Sequence, residues 1–290
     1  MSELVSNPGG RVAGSILRHR RAWRALPDLP GFVRRWLAVG FRIPLGGRKP
    51  PAIHLLNRPL SPEHISFVHG EVHQLLSMGA ISPCSTRPRV VSPLGVVPKK
   101  EGKLRLILDL TALNRYVRAP PFRMEDMRAV AAMTQPGDLG ATVDLQDGYF
   151  HLQVRHQDRE LLGFEWDGVY YVYNVLPFGL STSPWAFTKL VRPVVAALHR
   201  AGVRVTSYMD DFLVLAGPEE GSAPLDKTLA LLRCLGWFVH PLKSYLTPMQ
   251  DFTYLGMRVS TGGESVLISA LGDKIRTVKK LAAPILASVP

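Results

Sequence analysis

The chain has 290 residues, 46% of them hydrophobic, and its formal net charge is +12 at pH 7. This composition excludes wholesale disorder, the two distant cysteines exclude a disulfide framework, and no apolar run approaches the ~20 residues of a membrane span. We expect an intracellular protein of the cytoplasm or nucleus, neither secreted nor membrane-bound, whose charge favours a nucleic-acid partner over the alternative of an ordinary basic protein.

Residues 1–50 carry much of the positive charge. Only Glu3 and Asp28 oppose ten basic residues: Arg11, Arg18, Arg20, Arg21, Arg24, Arg34, Arg35, Arg42, Arg48 and Lys49. We predict a basic, partly disordered leader with a short helix near Phe32–Val39. Contact with phosphates and a purely solubilising role are both open for this segment.

The next segment contains two predicted helices and a hairpin. Ser61 can cap a helix that runs to Met78, because Pro62 suits its first turn and Gly79 can end it. The pattern then predicts a β-hairpin with a basic tip within 90–110 and a helix over 123–133.

The remaining predicted elements mix strands and helices without a steady βαβ rhythm, which favours an α+β fold. We expect strands at 141–145, 237–245, 252–259 and 265–269, and two short strands or one hairpin at 203–215. A further hairpin is expected at 161–175, and helices are expected at 184–199, 225–235 and 271–286.

The stretch SYMDDFLVL places Asp210 and Asp211 inside an apolar, strand-forming run. Two adjacent carboxylates repel each other, and each resists ionisation unless a cation neutralises the pair. Mg²⁺ takes one or two carboxylates together with substrate phosphates, although surface turns also use Asp-Asp pairs freely. A second apolar strand ends at Asp144, and if it lies beside the first, three carboxylates can hold two metals roughly 4 Å apart.

These stretches resemble the motifs of reverse transcriptases, in family order, from about Gly79 to Ser260. YMDD is similar to the third catalytic motif and VDLQDGYFHLQV to the first. LPFGLSTSPWAF is similar to the second motif, LGWFVHPLKS to the fourth, and FTYLGM to the fifth, the primer grip. Upstream, SPLGVVPKKEGKLRLILDLTALN is similar to the fingers hairpin. The sequence of the stretch LPFGLSTSP is most similar to that of retrotransposon enzymes of the DIRS and gypsy-like kinds.

The resemblance implies a right-hand polymerase fold of class α+β, with an antiparallel palm sheet backed by helices. It places the N-terminal helix and fingers at 51–140, the palm at 141–264 with an inserted fingers segment near 155–175, and the start of a thumb or connection at 265–290. Because so little follows the fifth motif, we expect a truncated thumb, in either a fragment of a larger polyprotein or a truncated genomic copy.

The resemblance also implies the roles of the site residues. Asp144 and Asp210 would hold two Mg²⁺ ions, with Mn²⁺ as an alternative, while Asp211 lies more peripherally and the Leu145 carbonyl completes a metal shell. Lys243 matches a proposed general acid for the pyrophosphate leaving group.

Further matches concern the substrates, a template–primer of RNA or DNA and deoxynucleoside triphosphates. Tyr149 would exclude a 2′-hydroxyl, and Phe178 and Gly179 would lie by the nascent base pair. Arg105 matches the triphosphate arginine, and a lysine of the same loop, with Lys100 and Lys103 as the candidates beside Lys99, is expected to contact phosphate unless these lysines only form a solvated hairpin tip. The primer grip is expected from Tyr254, Leu255, Gly256 and Met257.

Three functions are compatible with these residues. The first is template-directed DNA synthesis, and the second is a catalytically silent remnant that only binds nucleic acid. The third is an RNA-directed RNA polymerase, since palm motifs are shared across polymerases, but a bulky Tyr149 at the sugar disfavours it.

Overall fold

The computed structural model describes residues 7, 10–99 and 102–272. The helices are α1 Ser15–Arg18, α2 Arg20–Arg24, α3 Gly31–Val39, α4 Pro62–Met78, α5 Thr111–Asn114, α6 Met127–Met133, α7 Ser183–Arg200 and α8 Ala223–Cys234. The first seven strands are β1 Ile53–His54, β2 Ile81–Cys84, β3 Val90–Val91, β4 Leu94–Pro98, β5 Leu104–Leu108, β6 Leu139–Asp144 and β7 Gly163–Trp166. The others are β8 Val169–Tyr173, β9 Arg204–Tyr208, β10 Asp211–Ala216, β11 Tyr245–Met249, β12 Asp251–Tyr254, β13 Met257–Ser260 and β14 Leu267–Ala270.

A four-stranded sheet, which we call the central sheet, has the order β11-β6-β10-β9 and is antiparallel throughout. Its two inner strands, β6 and β10, are apolar and largely buried, and helices α7 and α8 pack against β9 and β10. Phe187 and Leu190 of α7 and Leu232 of α8 belong to the same core as Val143 and Phe212 of the sheet. The sheet is therefore anchored from behind, and its strand ends are fixed relative to one another.

A second sheet has the order β1-β3-β7-β8-β2, and β4 and β5 form a separate two-stranded hairpin. Strands β7 and β8 thus return to a sheet otherwise built from residues 53–91. Helix α4 packs on β2 and begins as expected, since the Ser61 hydroxyl accepts a hydrogen bond from His64 N. Gly79 ends it with a left-handed φ of 73°.

A small third sheet, β12-β13-β14, covers the other face of β10. Phe252, Tyr254 and Val259 pack there with Leu213 and Val130. Among the described residues, no helix combines the length and the apolar character needed to cross a membrane.

The N-terminal segment differs from the partly disordered leader that the sequence predicts. Over residues 10–50 it forms α1, α2 and α3, and the apolar side chains between the arginines are buried, with Ile16, Trp23 and Leu37 fully enclosed. Trp23 Nε1 donates to the Leu235 carbonyl over 2.7 Å. Burial of large apolar side chains offsets the entropy of ordering the segment.

Two predicted strands are corrected. Residues 237–245 do not form one strand: Val239 makes an isolated bridge to Leu145, and β11 begins only at Tyr245. Residues 252–259 form the hairpin β12–β13 instead, because Leu255 and Gly256 adopt left-handed conformations at its two-residue turn. The helix expected from Arg123 begins at Met127, where Asp126 caps it. Most of the helix expected at 271–286 lies outside the described residues.

Candidate active site

The register of the central sheet brings three aspartates together. Asp211 pairs directly with Asp144 across β10 and β6, and Asp210 precedes it in the turn that follows β9. Leu145 N donates to the Asp210 carbonyl over 2.8 Å, which extends the pairing past the strand end. Met209 takes a left-handed φ of 56° at the turn. The convergence of two chain segments that the sequence predicts is therefore present.

Burial disfavours ionisation of all three carboxyls, and repulsion between the aspartates adds to this at Asp144 and Asp211. Burial raises the pKa of Asp211 to about 7, with further contributions from Asp144 and Asp210. Burial also raises the pKa of Asp144, which Lys243 lowers and Asp210 raises. The pKa of Asp210 is raised by burial too. A bound cation would remove this penalty.

The donor set fits a hard divalent ion by its chemistry. Asp144 Oδ1 is buried and accepts no hydrogen bond, and its nearest cationic atom is Lys243 Nζ at 3.8 Å. Carboxylate oxygens are the ligands that Mg²⁺ prefers. Within the described ranges, however, no group of three or more His, Cys, Asp or Glu side chains already has the geometry of a metal site. Asp144, Asp210 and Asp211 would have to adjust around an ion.

The segment after α8 is attached to the Asp144 strand. His240 N donates to the Asp144 carbonyl over 2.8 Å, and Asp144 N donates to the Ser244 hydroxyl over 3.0 Å. Lys243 lies between these two contacts with its side chain 60% exposed. Sequence reasoning missed Ser244, because a serine after a strand carries no signal of a partner 100 positions away.

Tyr149 lies beside the carboxylates. Its ring packs against Phe178 at 4.9 Å and against Phe187 at 5.5 Å between centroids. Burial raises the pKa of Tyr149, and so does the nearby charge of Asp210. Phe178 is 60% exposed, so its outer surface is available for contact with a ligand.

Gly179 follows Phe178 in a tight loop that needs glycine. Its φ is 91°, and a Cβ there would lie 2.9 Å from the Leu108 carbonyl oxygen. Asn114 holds the loop through both atoms of its amide: Nδ2 donates to the Gly179 carbonyl over 2.8 Å, and Oδ1 accepts from Ser181 N over 2.9 Å. Asn114 was not predicted, and its position at the end of the predicted hairpin was the one available signal.

The expected triphosphate residues lie on the β4–β5 hairpin. Arg105 is exposed on β5 opposite Val97, and Lys103 is exposed at the tip. Lys100 lies outside the described residues. The Phe178 loop passes close to the hairpin at the Leu108 carbonyl, and Asn114 of α5, just after the hairpin, donates to the Gly179 carbonyl of that loop.

The four expected primer-grip residues are not equivalent. Leu255 and Gly256 form the turn between β12 and β13, and Met257 follows it, all partly exposed. Tyr254 is only 2% exposed, and its hydroxyl donates to the Asp211 carbonyl over 2.9 Å. Its side chain is therefore buried under the turn at Asp210 and Asp211 and holds the backbone of Asp211.

The sequence model of the family described as "Reverse transcriptase (RNA-dependent DNA polymerase)" matches residues 97–259, more than half of the chain. The chain belongs to the reverse transcriptase family. The match includes all three aspartates, Lys243 and the hairpin turn at Leu255. The resemblance read from the motifs is thereby confirmed at the level of the family.

Curated relatives of this reverse transcriptase chain include retrotransposon polyproteins. The Transposon Tf2-3 polyprotein of Schizosaccharomyces pombe is 30% identical over 158 residues, which are 54% of this chain and 12% of the polyprotein. The Transposon Tf2-7 polyprotein of the same organism is 28% identical over the same length. The chain thus spans about an eighth of the length of these relatives.

Solved structures with a similar fold are foamy viral protease–reverse transcriptases. One in complex with dsDNA has a TM-score of 0.71 at 18% identity, over 91% of this chain and 58% of that one. Another, in complex with an RNA/DNA hybrid, has a TM-score of 0.67 at 19% identity, over 94% and 39%. The α+β fold of a polymerase palm and fingers, predicted from the sequence, is confirmed.

Proposed function

We propose that this chain adds deoxynucleotides to a primer 3′-hydroxyl under the direction of an RNA or DNA template, with two Mg²⁺ ions, as part of a retroelement polyprotein. The observation that carries the proposal is the convergence of Asp144 with Asp210 and Asp211, whose ionisation is penalised without a cation. Family membership and the foamy viral structures that contain nucleic acid support it.

The metal ligands proposed are Asp144, Asp210, Asp211 and the Leu145 carbonyl. When bound, two divalent ions supply activation of the primer hydroxyl and neutralisation of charge on the transferring phosphoryl group. Asp211 is held through its own carbonyl by Tyr254, and Asp144 through its backbone by Ser244 and His240. The chain thus orients the carboxylates before substrate arrives.

Other residues position the substrates. The ring of Tyr149, held between Phe178 and Phe187, would meet a 2′-hydroxyl of the incoming sugar. Lys243 would give a proton to the departing pyrophosphate. Arg105, with Lys100 and Lys103, would bind the triphosphate. The turn at Leu255 and Gly256, with Met257, would contact the primer.

We place the parent element among gypsy-like or DIRS-like retrotransposons, from the wording of LPFGLSTSP. The similarity to Tf2 polyproteins supports a retrotransposon origin at the coarser level. An intracellular location, in the cytoplasm or nucleus, accords with that origin.

Primer extension on a primed RNA template with Mg²⁺ and dNTPs tests the function. We expect Asp210→Asn to lower incorporation about 10³-fold, because it removes a metal-binding charge worth about 4 kcal/mol at the transition state. Asp167→Asn is the matched control: Asp167 lies in the exposed β7–β8 turn with a φ of 53°, which asparagine tolerates.

Equal incorporation by Asp210→Asn and Asp167→Asn would refute the site assignment. Binding of the primed template without incorporation by the unaltered chain would refute the polymerase function and leave a silent nucleic-acid-binding protein. Extension with ribonucleotides as efficient as with deoxynucleotides would favour an RNA polymerase.

A further inference from the structure

His151 is a fully buried histidine to which the proposed mechanism gives no role. Its Nε2 lies 3.0 Å from the backbone nitrogen of Phe238, and its Nδ1 lies 3.0 Å from the Gly148 carbonyl oxygen. A backbone N–H can only donate, so Nε2 must be the unprotonated acceptor. Nδ1 then carries the proton and donates to Gly148. The two backbone contacts together define one neutral tautomer.

The two backbone groups that His151 joins belong to two segments next to the Asp144 strand. Gly148 lies in the turn that follows Asp144. Phe238 opens the segment 238–244, which carries Lys243. The inner edge of that segment is bonded to the Asp144 strand: Gln146 N donates to the Phe238 carbonyl, and His240 N donates to the Asp144 carbonyl, both over 2.8 Å.

Two other backbone N–H groups of the same segment have side chains as partners. Phe238 N donates to His151, and Val239 N donates to Asn7 Oδ1 over 2.7 Å. Around His151 the packing is aromatic, with Trp237 at 4.8 Å and Phe238 at 6.0 Å between ring centroids. No water is needed to satisfy Phe238 N, but loss of the imidazole acceptor would leave that buried donor unpaired.

We propose that His151 is a positioning residue for nucleotide addition: its neutral imidazole fixes the segment 238–244 against the Asp144 turn and thereby places Lys243 beside Asp144. This inference rests on the proposed function. His151 touches neither substrate nor the aspartates and acts through the backbone of Phe238. The position demands an acceptor at Nε2 within an apolar enclosure, which few side chains supply.

Two substitutions of similar polarity distinguish a hydrogen-bonding role of His151 from a role in core packing alone. In His151→Gln, the side-chain oxygen can reach the place of Nε2 and accept from Phe238. In His151→Asn, the shorter amide can reach only the place of Nδ1. Single-turnover incorporation on a primed RNA template gives the maximal rate and the dNTP dissociation constant for each variant.

We expect His151→Gln to keep the maximal rate within about threefold and His151→Asn to lower it at least about tenfold, with the dNTP dissociation constant little changed. In a Lys243→Ala background, the same His151→Asn change should lower the rate less than about threefold, since the two residues act on one step. Thermal unfolding of each variant checks that both remain folded.

Equal rates for the two variants, or an undiminished effect of His151→Asn in the Lys243→Ala background, would overturn the positioning role. An unaltered chain without incorporation would refute the proposed function instead. In that case, ¹⁵N spectra of the imidazole still decide the tautomer: a proton on Nε2 would overturn the arrangement, and a proton on Nδ1 would support it.

Discussion

The buried imidazole of His151 makes the stability of the fold depend on pH in a way that one substitution can isolate. The pKa of His151 is lowered from 6.5 to about 4: burial is the main cause, the backbone contacts with Gly148 and Asp147 oppose it, and the nearby charge of Arg18 adds to it. Between these pKa values the unfolded chain binds a proton that the native chain excludes. The contribution of His151 to the free energy of unfolding is therefore fully present above pH 6.5, and it is lost as the pH falls towards 4.

The size of the effect follows from the two pKa values. Between pH 7 and pH 4.5, a group that moves from 6.5 in the unfolded chain to about 4 in the native one costs about 2.5 kcal/mol. His151→Gln removes the titrating group while it keeps the acceptor for Phe238. Other titrating groups, including the aspartates with raised pKa, are common to both proteins and cancel in the difference.

Urea unfolding of both proteins at a series of pH values measures this difference. We expect the free energy of unfolding of the wild type, minus that of His151→Gln, to fall by about 2.5 kcal/mol from pH 7 to pH 4.5. A difference that stays constant over this range would refute the argument, because it would mean that His151 titrates alike in the native and unfolded chains.

Three other predictions concern the substrates. Asn114→Ala should raise the dNTP dissociation constant about fivefold, since the loop that carries Phe178 and Gly179 loses two hydrogen bonds worth about 1 kcal/mol net; an unchanged constant would contradict this. Tyr149→Ala should admit ribonucleotides, and unchanged sugar selection in competition assays would exclude the steric role. Glutamine at Arg20, Arg21 and Arg24, which are exposed and lack acidic partners among the described residues, should lower the salt dependence of template–primer binding by about 2 to 3 in log–log slope; an unchanged slope would assign that surface to solubility.

The sequence predicts the active-site strands well because their signals are local. Asp144 ends an apolar strand and Asp210 interrupts another, so antiparallel pairing brings both to one edge of the sheet. The turn residues of the β7–β8 hairpin are equally local, with Asp167 and Gly168 both left-handed.

The contacts that the sequence does not predict are long-range. Because Trp23 lies among arginines in the sequence, its segment is predicted to be solvated. In the structure, Trp23 instead contacts the carbonyl of Leu235 and the ring of Trp237. His151 and Asn114 have ordinary local contexts, and their roles depend on backbone atoms 87 and 65 positions away. Periodicity reports which face of an element is buried, not which distant backbone group lies there.

The central claim is that three carboxylates hold two divalent ions. Electron paramagnetic resonance with Mn²⁺, on the chain with a chain-terminated primer on an RNA template and the next dNTP, counts these ions directly once binding to dNTP alone is subtracted. We expect two bound ions for the wild type, and fewer or more weakly bound ions for Asp144→Asn. The same number of ions, bound with the same affinity, in both proteins would contradict it.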